Sequence, residues 1–244
     1  MSLNIQGLQK TTLLDYPGHV AATIFLGGCN FKCVFCHNMD IVLAGVSDKM
    51  PTDSTSSITT PVYSEDEIFT FLQKRAGVLD GVCITGGEPT LYKELPEFIR
   101  RIKSLDLLVK LDTNGTNPEM IKYLIDNGLI DYIAMDIKSS LEKYDDICAT
   151  KINKDALKES VHLILNSNIS YEFRTTVVKE YHDLETMVNI GKMINGADNY
   201  FLQSFVDSDS VPNHELHSWD VDTLNGFVEA LKPYVKNVSI RGEE

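Results

Sequence analysis

A chain of 244 residues, 43% hydrophobic and 23% charged, has the make-up of an ordinary globular protein and the length of one large α/β domain. Its formal net charge of -13 excludes the basic surface of a typical nucleic-acid binder, and the plain meaning of that acidity is solubility. No apolar run approaches the ~18 residues of a membrane span, and the N-terminal "MSLNIQGLQKTTLLDYPG" lacks a basic-then-apolar leader pattern. A cytoplasmic, reducing location is therefore expected, where disulfides are rare and clustered cysteines bind metal.

In chain order, the first predicted strand is the apolar, β-branched run His19–Gly28. "YSEDEIFTFLQKRAG" predicts a helix with Ser64 as N-cap and apolar Ile68, Phe71 and Leu72 at helical spacing. Leu79–Gly87 is a short strand, and "TLYKELPEFIRRIKSL" reads as one helix with Pro96 in its early turns. Leu107–Gly115 is a strand ending in Asp112. "NPEMIKYLIDNG" is a helix with Asn117 as N-cap, Pro118 at its first position and Gly128 at its end. Ile130–Lys138 is a strand, "KDALKESVHLILNSN" a helix, "ISYEFRTTVV" a strand, "DLETMVNIGKMING" a helix and "NYFLQSF" a strand. "VDTLNGFVEALKPY" and "KNVSIRG" close the chain as a helix and a last short strand.

Alternation of this kind implies parallel βαβ units. Six main strands suit a partial (β/α)6 TIM-like barrel of parallel strands better than a closed eight-fold one. The chemistry of such folds sits at the C-terminal strand ends, and polar residues recur there: Cys29, then Thr85-Gly86-Gly87-Glu88, Asp112-Thr113, and Asp136 with Lys138, while Arg174 lies on the fifth strand. Residues 1–244 are expected to form a single domain. It is interrupted by a Ser/Thr/Pro-rich loop over 43–62, either a tolerated insertion or a lid or docking loop.

Three of the five cysteines, Cys29, Cys33 and Cys36, stand as C-x3-C-x2-C. With His37 they could make a Cys3His zinc site, although an adjacent cysteine and histidine reach one tetrahedron with difficulty. Cys83, inside an apolar strand, and Cys148, of unreadable role, are candidates for a fourth iron–sulfur ligand. The remaining reading is a cubane cluster held by three thiolates with one iron open, as catalytic metal sites leave a position open.

The C-x3-C-x2-C spacing, with Phe35 before the third cysteine, resembles the radical S-adenosylmethionine (SAM) enzymes, and "TGGEPT" (Thr85–Thr90) looks like their GGEP motif. The resemblance implies a [4Fe–4S] cluster on Cys29, Cys33 and Cys36. It also implies SAM on the open iron, its amino group met by the backbone of Gly86 and Gly87 and by Glu88. Phe35 is implied as a wall of the adenine pocket. "GLQKTTLLDYPGHVAATIFLGGCNFKCVFCHN", "GVCITGGEPTL", "VKLDTNG" and "DYIAMDIK" resemble the activating proteins of anaerobic ribonucleoside-triphosphate reductase and, more loosely, pyruvate formate-lyase activating enzymes. Those families generate a glycyl radical on a partner enzyme, with flavodoxin or ferredoxin as electron donor.

In the formate-lyase activators, residues matching Asp112, Thr113 and Asp136 help bind a monovalent cation beside SAM. Those matching Lys138 and Arg174 contact SAM or the glycine loop, and Asp15 matches a residue facing that loop. By the residues alone, Asp112 could cap its turn, Lys138 could be a solvated lysine, and Asp15 could belong to a type I turn around Pro17. A charged Arg174 among apolar neighbours demands a partner. His37 and Asn38 are expected to order the cysteine loop. The family's histidine after the sixth strand is absent here, where Val206 or a neighbour takes its place; Phe35 and Phe205 remain for the adenine. The alternative substrates are another glycyl-radical enzyme, a small molecule or a peptide.

Overall fold

The computed structural model describes residues 3–44 and 62–242. All but the ends of the predicted 43–62 loop therefore lie outside the described residues. Eight strands, β1 (Ile5–Thr12), β2 (Ala21–Leu26), β3 (Gly81–Gly86), β4 (Leu108–Thr113), β5 (Tyr132–Asp136), β6 (Ser170–Val177), β7 (Asn199–Ser204) and β8 (Asn237–Arg241), follow one another across one open sheet in chain order. The helices are α1 (Met39–Leu43), α2 (Glu65–Lys74), α3 (Leu95–Lys103), α4 (Pro118–Asp126), α5 (Tyr144–Ile147), α6 (Lys154–Leu165), α7 (Leu184–Met193) and α8 (Val221–Leu231). No helix among the described residues is long and apolar enough to cross a membrane.

The chain divides into two compact units: Met1–Asn30, Asn38–Thr113 and Lys122–Ile133 form one, and Phe31–His37, Asn114–Ile121 and Ala134–Glu244 the other. In the first, β2–β3 and β3–β4 pair in parallel, with Ala21 opposite Gly81 and Gly81 opposite Leu108. Ile24, Val82, Ile84, Val109 and Leu111 are fully buried. α3 packs on β4, and α2 starts at the expected N-cap: Ser64 accepts from the Glu67 N–H while the Glu67 carboxylate accepts from Ser64 N–H, a reciprocal capping box. In the second unit, β6–β7 and β7–β8 are parallel over a core that includes Phe173, Tyr200 and Leu202. Asn153, Asp183 and Asp220 cap α6, α7 and α8.

Three details correct the sequence reading. β1 is an additional strand, antiparallel to β2. Its mixed burial has no period-2 alternation, so only pairing with β2 reveals it. The segment Thr90–Leu105 is not one helix: a 3-10 turn at Pro89–Leu91 precedes α3, and Pro96 sits in the first turn of α3, where a missing N–H is harmless. The turn around Pro17 is not type I. The His19 N–H bonds the Tyr16 carbonyl and Gly18 has φ 78°, the positive φ after proline that marks type II.

Candidate active site

The predicted residues divide between the two units. In the first, β2 runs straight into Gly27, Gly28 and Cys29, and the turn after β3 packs directly on that backbone. Gly87 N–H donates to Leu26 carbonyl at 2.7 Å and Glu88 N–H to Gly28 carbonyl at 2.8 Å. A Cβ on Gly87 would lie 1.8 Å from the Gly28 oxygen, and Gly86 has φ 112°. Both positions therefore demand glycine. Asn38 Nδ2 bonds the Gly86 carbonyl at 3.4 Å.

Glu88 is fully buried, and its Oε1 accepts from the Thr90 N–H at 3.1 Å, the Thr90 hydroxyl at 2.5 Å and the Thr113 hydroxyl at 2.7 Å. That oxygen caps the 3-10 turn and ties the end of β3 to the end of β4. On the same strand the Lys110 ammonium pairs with Asp112. Asp15 accepts from the Thr23 hydroxyl at 2.5 Å, while Thr12 Oγ1 accepts from the Leu14 and Asp15 N–H groups, fixing the loop that follows β1.

In the second unit the cysteine segment is strapped by α5 and the residue after it. Lys32 N–H donates to Cys148 carbonyl at 3.0 Å, Val34 N–H to Ile147 carbonyl at 3.2 Å, and Cys36 N–H to Cys33 carbonyl at 3.1 Å. The Cys33 and Cys148 thiols are 3.9 Å apart and both buried. The adjacent Cys148 thiol, with help from the Lys138 charge and against the effect of burial, holds the Cys33 thiol below its ordinary pKa. Phe35 is buried, with Lys138 Nζ 5.9 Å from its ring centre. His37 Nε2 bonds the Val206 carbonyl at 2.6 Å, and its ring lies 5.7 Å from that of Phe205.

Arg174 has the partner its apolar surroundings require. Its Nε donates to Asp136 at 2.8 Å, and Lys138 Nζ reaches the other Asp136 oxygen at 3.0 Å. Arg174 also lies 3.9 Å from Glu172, which takes a bidentate pair from Arg241 at 2.9 Å per contact. Burial disfavours the Asp136 carboxylate, but Arg174 and Lys138 outweigh it and hold its pKa well below the usual range. Behind them, buried His182 accepts from the Val178 N–H at Nδ1, which leaves Nε2 to donate to the Lys138 carbonyl at 2.9 Å. Sequence reasoning left Cys148 without a role and missed Lys110 and His182. For Lys110 a signal existed, since residues two apart on a strand share a face; for the other two none did.

Residues 23–191 match the Radical SAM superfamily. The chain is 33% identical to a "putative glycyl-radical enzyme activating enzyme" of Methanocaldococcus jannaschii over 99% of its own length and 97% of the relative's. The fold is similar to that of SuiB from Streptococcus suis bound to S-adenosylmethionine (TM-score 0.63, 14% identity, 88% of this chain and 48% of that one). It is also similar to a domain of pyruvate-formate lyase-activating enzyme from Bacteroides vulgatus (TM-score 0.55, 15% identity, 66% and 99%). The protein is a member of the radical SAM superfamily, with its open α/β fold and its [4Fe–4S] and SAM cofactors. More narrowly, it belongs with the glycyl-radical enzyme activating enzymes, the family of its near-full-length archaeal relative.

The residues present fit these groups. None of the five cysteines is in a disulfide, and thiols are the soft donors an iron–sulfur cluster takes. The side-chain-free Gly86-Gly87 turn lets a ligand approach the backbone closely.

Proposed function

We propose that the protein generates a glycyl radical on anaerobic ribonucleoside-triphosphate reductase, acting as one radical SAM domain in the cytoplasm with flavodoxin or ferredoxin as electron donor. The observation that carries the reading is the pairing of C-x3-C-x2-C with a glycine turn packed on the residue before the first cysteine. A bound [4Fe–4S] cluster and SAM would supply one-electron reductive cleavage of the sulfonium, the chemistry needed for hydrogen-atom removal from the partner's glycine.

Cys29, Cys33 and Cys36 would hold the cluster, leaving one iron for SAM. The Thr85–Glu88 turn would receive the SAM amino group through its backbone, and Asp112 and Thr113 would flank the carboxylate end. Phe35 would wall the adenine. Asp136, fixed between Arg174 and Lys138, would orient those two cations toward anionic groups of SAM or the incoming loop. Asp15, held by Thr23, would face the glycine segment. Water must be excluded around such a radical, and the docked partner loop would do this.

The test is an anaerobic mixture of reconstituted protein, SAM, reductant and the candidate reductase, read by electron paramagnetic resonance. A glycyl doublet on the reductase supports the reading. SAM cleavage without that doublet, but with one on a formate-lyase-type enzyme, moves the partner and keeps the reaction class. Cleavage with neither points to a small-molecule or peptide substrate.

A further inference from the structure

The resemblance to formate-lyase activators implies a monovalent cation on Asp112, Thr113 and Asp136, yet in each unit these groups are engaged by the chain itself. In the first unit Lys110 is 1% exposed, between fully buried Val109 and Leu111. Its ammonium pairs with Asp112 Oδ1, lies 3.8 Å from Cys83 Sγ and stands 5.8 Å from the Tyr132 ring centre. A buried ammonium is costly unless it is paired and hydrogen-bonded, and Asp112 is its counter-charge. Thr113 directs its hydroxyl at Glu88. In the other unit, Asp136 is met by Arg174 and Lys138.

Sodium and potassium take oxygen ligands, and a carboxylate already neutralised by an ammonium attracts a second cation less strongly. An ammonium resembles potassium in charge and size, and one tethered two residues away competes as an intramolecular ligand that does not dissociate. We propose that Lys110 is a built-in cation: its ammonium occupies, at Asp112, the place of a diffusible monovalent metal ion, and so makes SAM binding independent of sodium and potassium. The inference rests on the SAM reading above.

The experiment measures SAM affinity of the reconstituted protein by equilibrium dialysis in potassium, sodium and choline chloride at equal ionic strength. Thallium-205 resonance reports any bound monovalent ion directly. The wild-type affinity is expected to vary less than twofold among the salts, with no thallium bound. Lys110→Met is expected to bind SAM at least tenfold more weakly in choline chloride, with recovery in potassium chloride and a bound thallium signal that potassium displaces. A wild-type affinity that falls tenfold without a metal cation overturns the proposal, as does a folded Lys110→Met indifferent to salt. Should Lys110→Met fail to fold, the wild-type salt series and thallium spectrum decide alone. Failure to bind SAM in any salt overturns the SAM reading as well, whereas binding that requires potassium overturns only this inference.

Discussion

The thiols of Cys33 and Cys148 stand 3.9 Å apart although 115 residues separate them in the chain. The contact follows from the strap described above, in which the backbone of Ile147 and Cys148 accepts from the cysteine segment. Cys148 therefore shapes the loop through its main chain, and its thiol is a neighbour of a proposed ligand. Cys148→Ser keeps those backbone bonds. It is expected to reconstitute with an unchanged iron content and charge-transfer spectrum and to lose about 1 kcal/mol of stability, the usual scale of a small buried change. Cys33→Ser is expected to lose the cluster. Equal iron loss in both variants would make Cys148 a ligand.

Gly87 and Gly226 should respond oppositely to alanine. At Gly87 the new Cβ would lie 1.8 Å from a backbone oxygen that has no room to retreat. The expected result is a loss of about 3 kcal/mol or failure to fold, in line with overpacked sites. A Cβ added at Gly226, which is exposed inside α8, would meet no atom within 4 Å. Gly226→Ala should gain roughly 0.5–1 kcal/mol from helix propensity. Thermal melting of the two variants checks both signs.

Arg174→Met removes one cation from Asp136 and leaves Lys138. A fully buried pair broken this way costs about 3–5 kcal/mol. Here the side chains are 13% and 27% exposed and a second cation stays, so roughly 2 kcal/mol is expected. Denaturant unfolding of Arg174→Met, Asp136→Asn and the double variant measures the coupling. Additive single effects would mean that the pair contributes nothing.

His182 predicts a pH dependence. Burial is the main cause that lowers its pKa in the folded state, whereas the unfolded chain titrates near ~6.5. The unfolded state binds the proton first, so the stabilisation is complete above about pH 6.5 and is lost as pH falls below it. Each unit of pKa difference is worth about 1.4 kcal/mol. Melting temperature should fall between pH 7.5 and 5.5, and His182→Gln should flatten that slope. An unchanged slope would assign it elsewhere.

Much of the fold was legible because its signals are local. β2, β3 and β4 are apolar or β-branched runs that begin or end beside glycines, and Ser64 and Asn117 announce helix starts by side-chain chemistry that acts within three residues. β1 was not, because its faces do not alternate in burial. The cysteine spacing and glycine turn were legible at the site for the same local reason. The places of Cys148 and His182 were not, because nothing in "DDICAT" or "VVKEYHD" announces a neighbour far away in the chain.

What the sequence by itself determined is the donor chemistry: three thiols, a turn with two glycines where a backbone must come close, and acids and bases at strand ends. What only the tertiary structure decided is which charge each of them meets. Arg174 finds Asp136 across 38 residues, and Glu172 divides its carboxylate between Arg174 and Arg241. Hydrogen-bond and ion-pair energies fall with distance in space, and that distance is fixed by strand pairing and helix packing, on which residue order alone is silent.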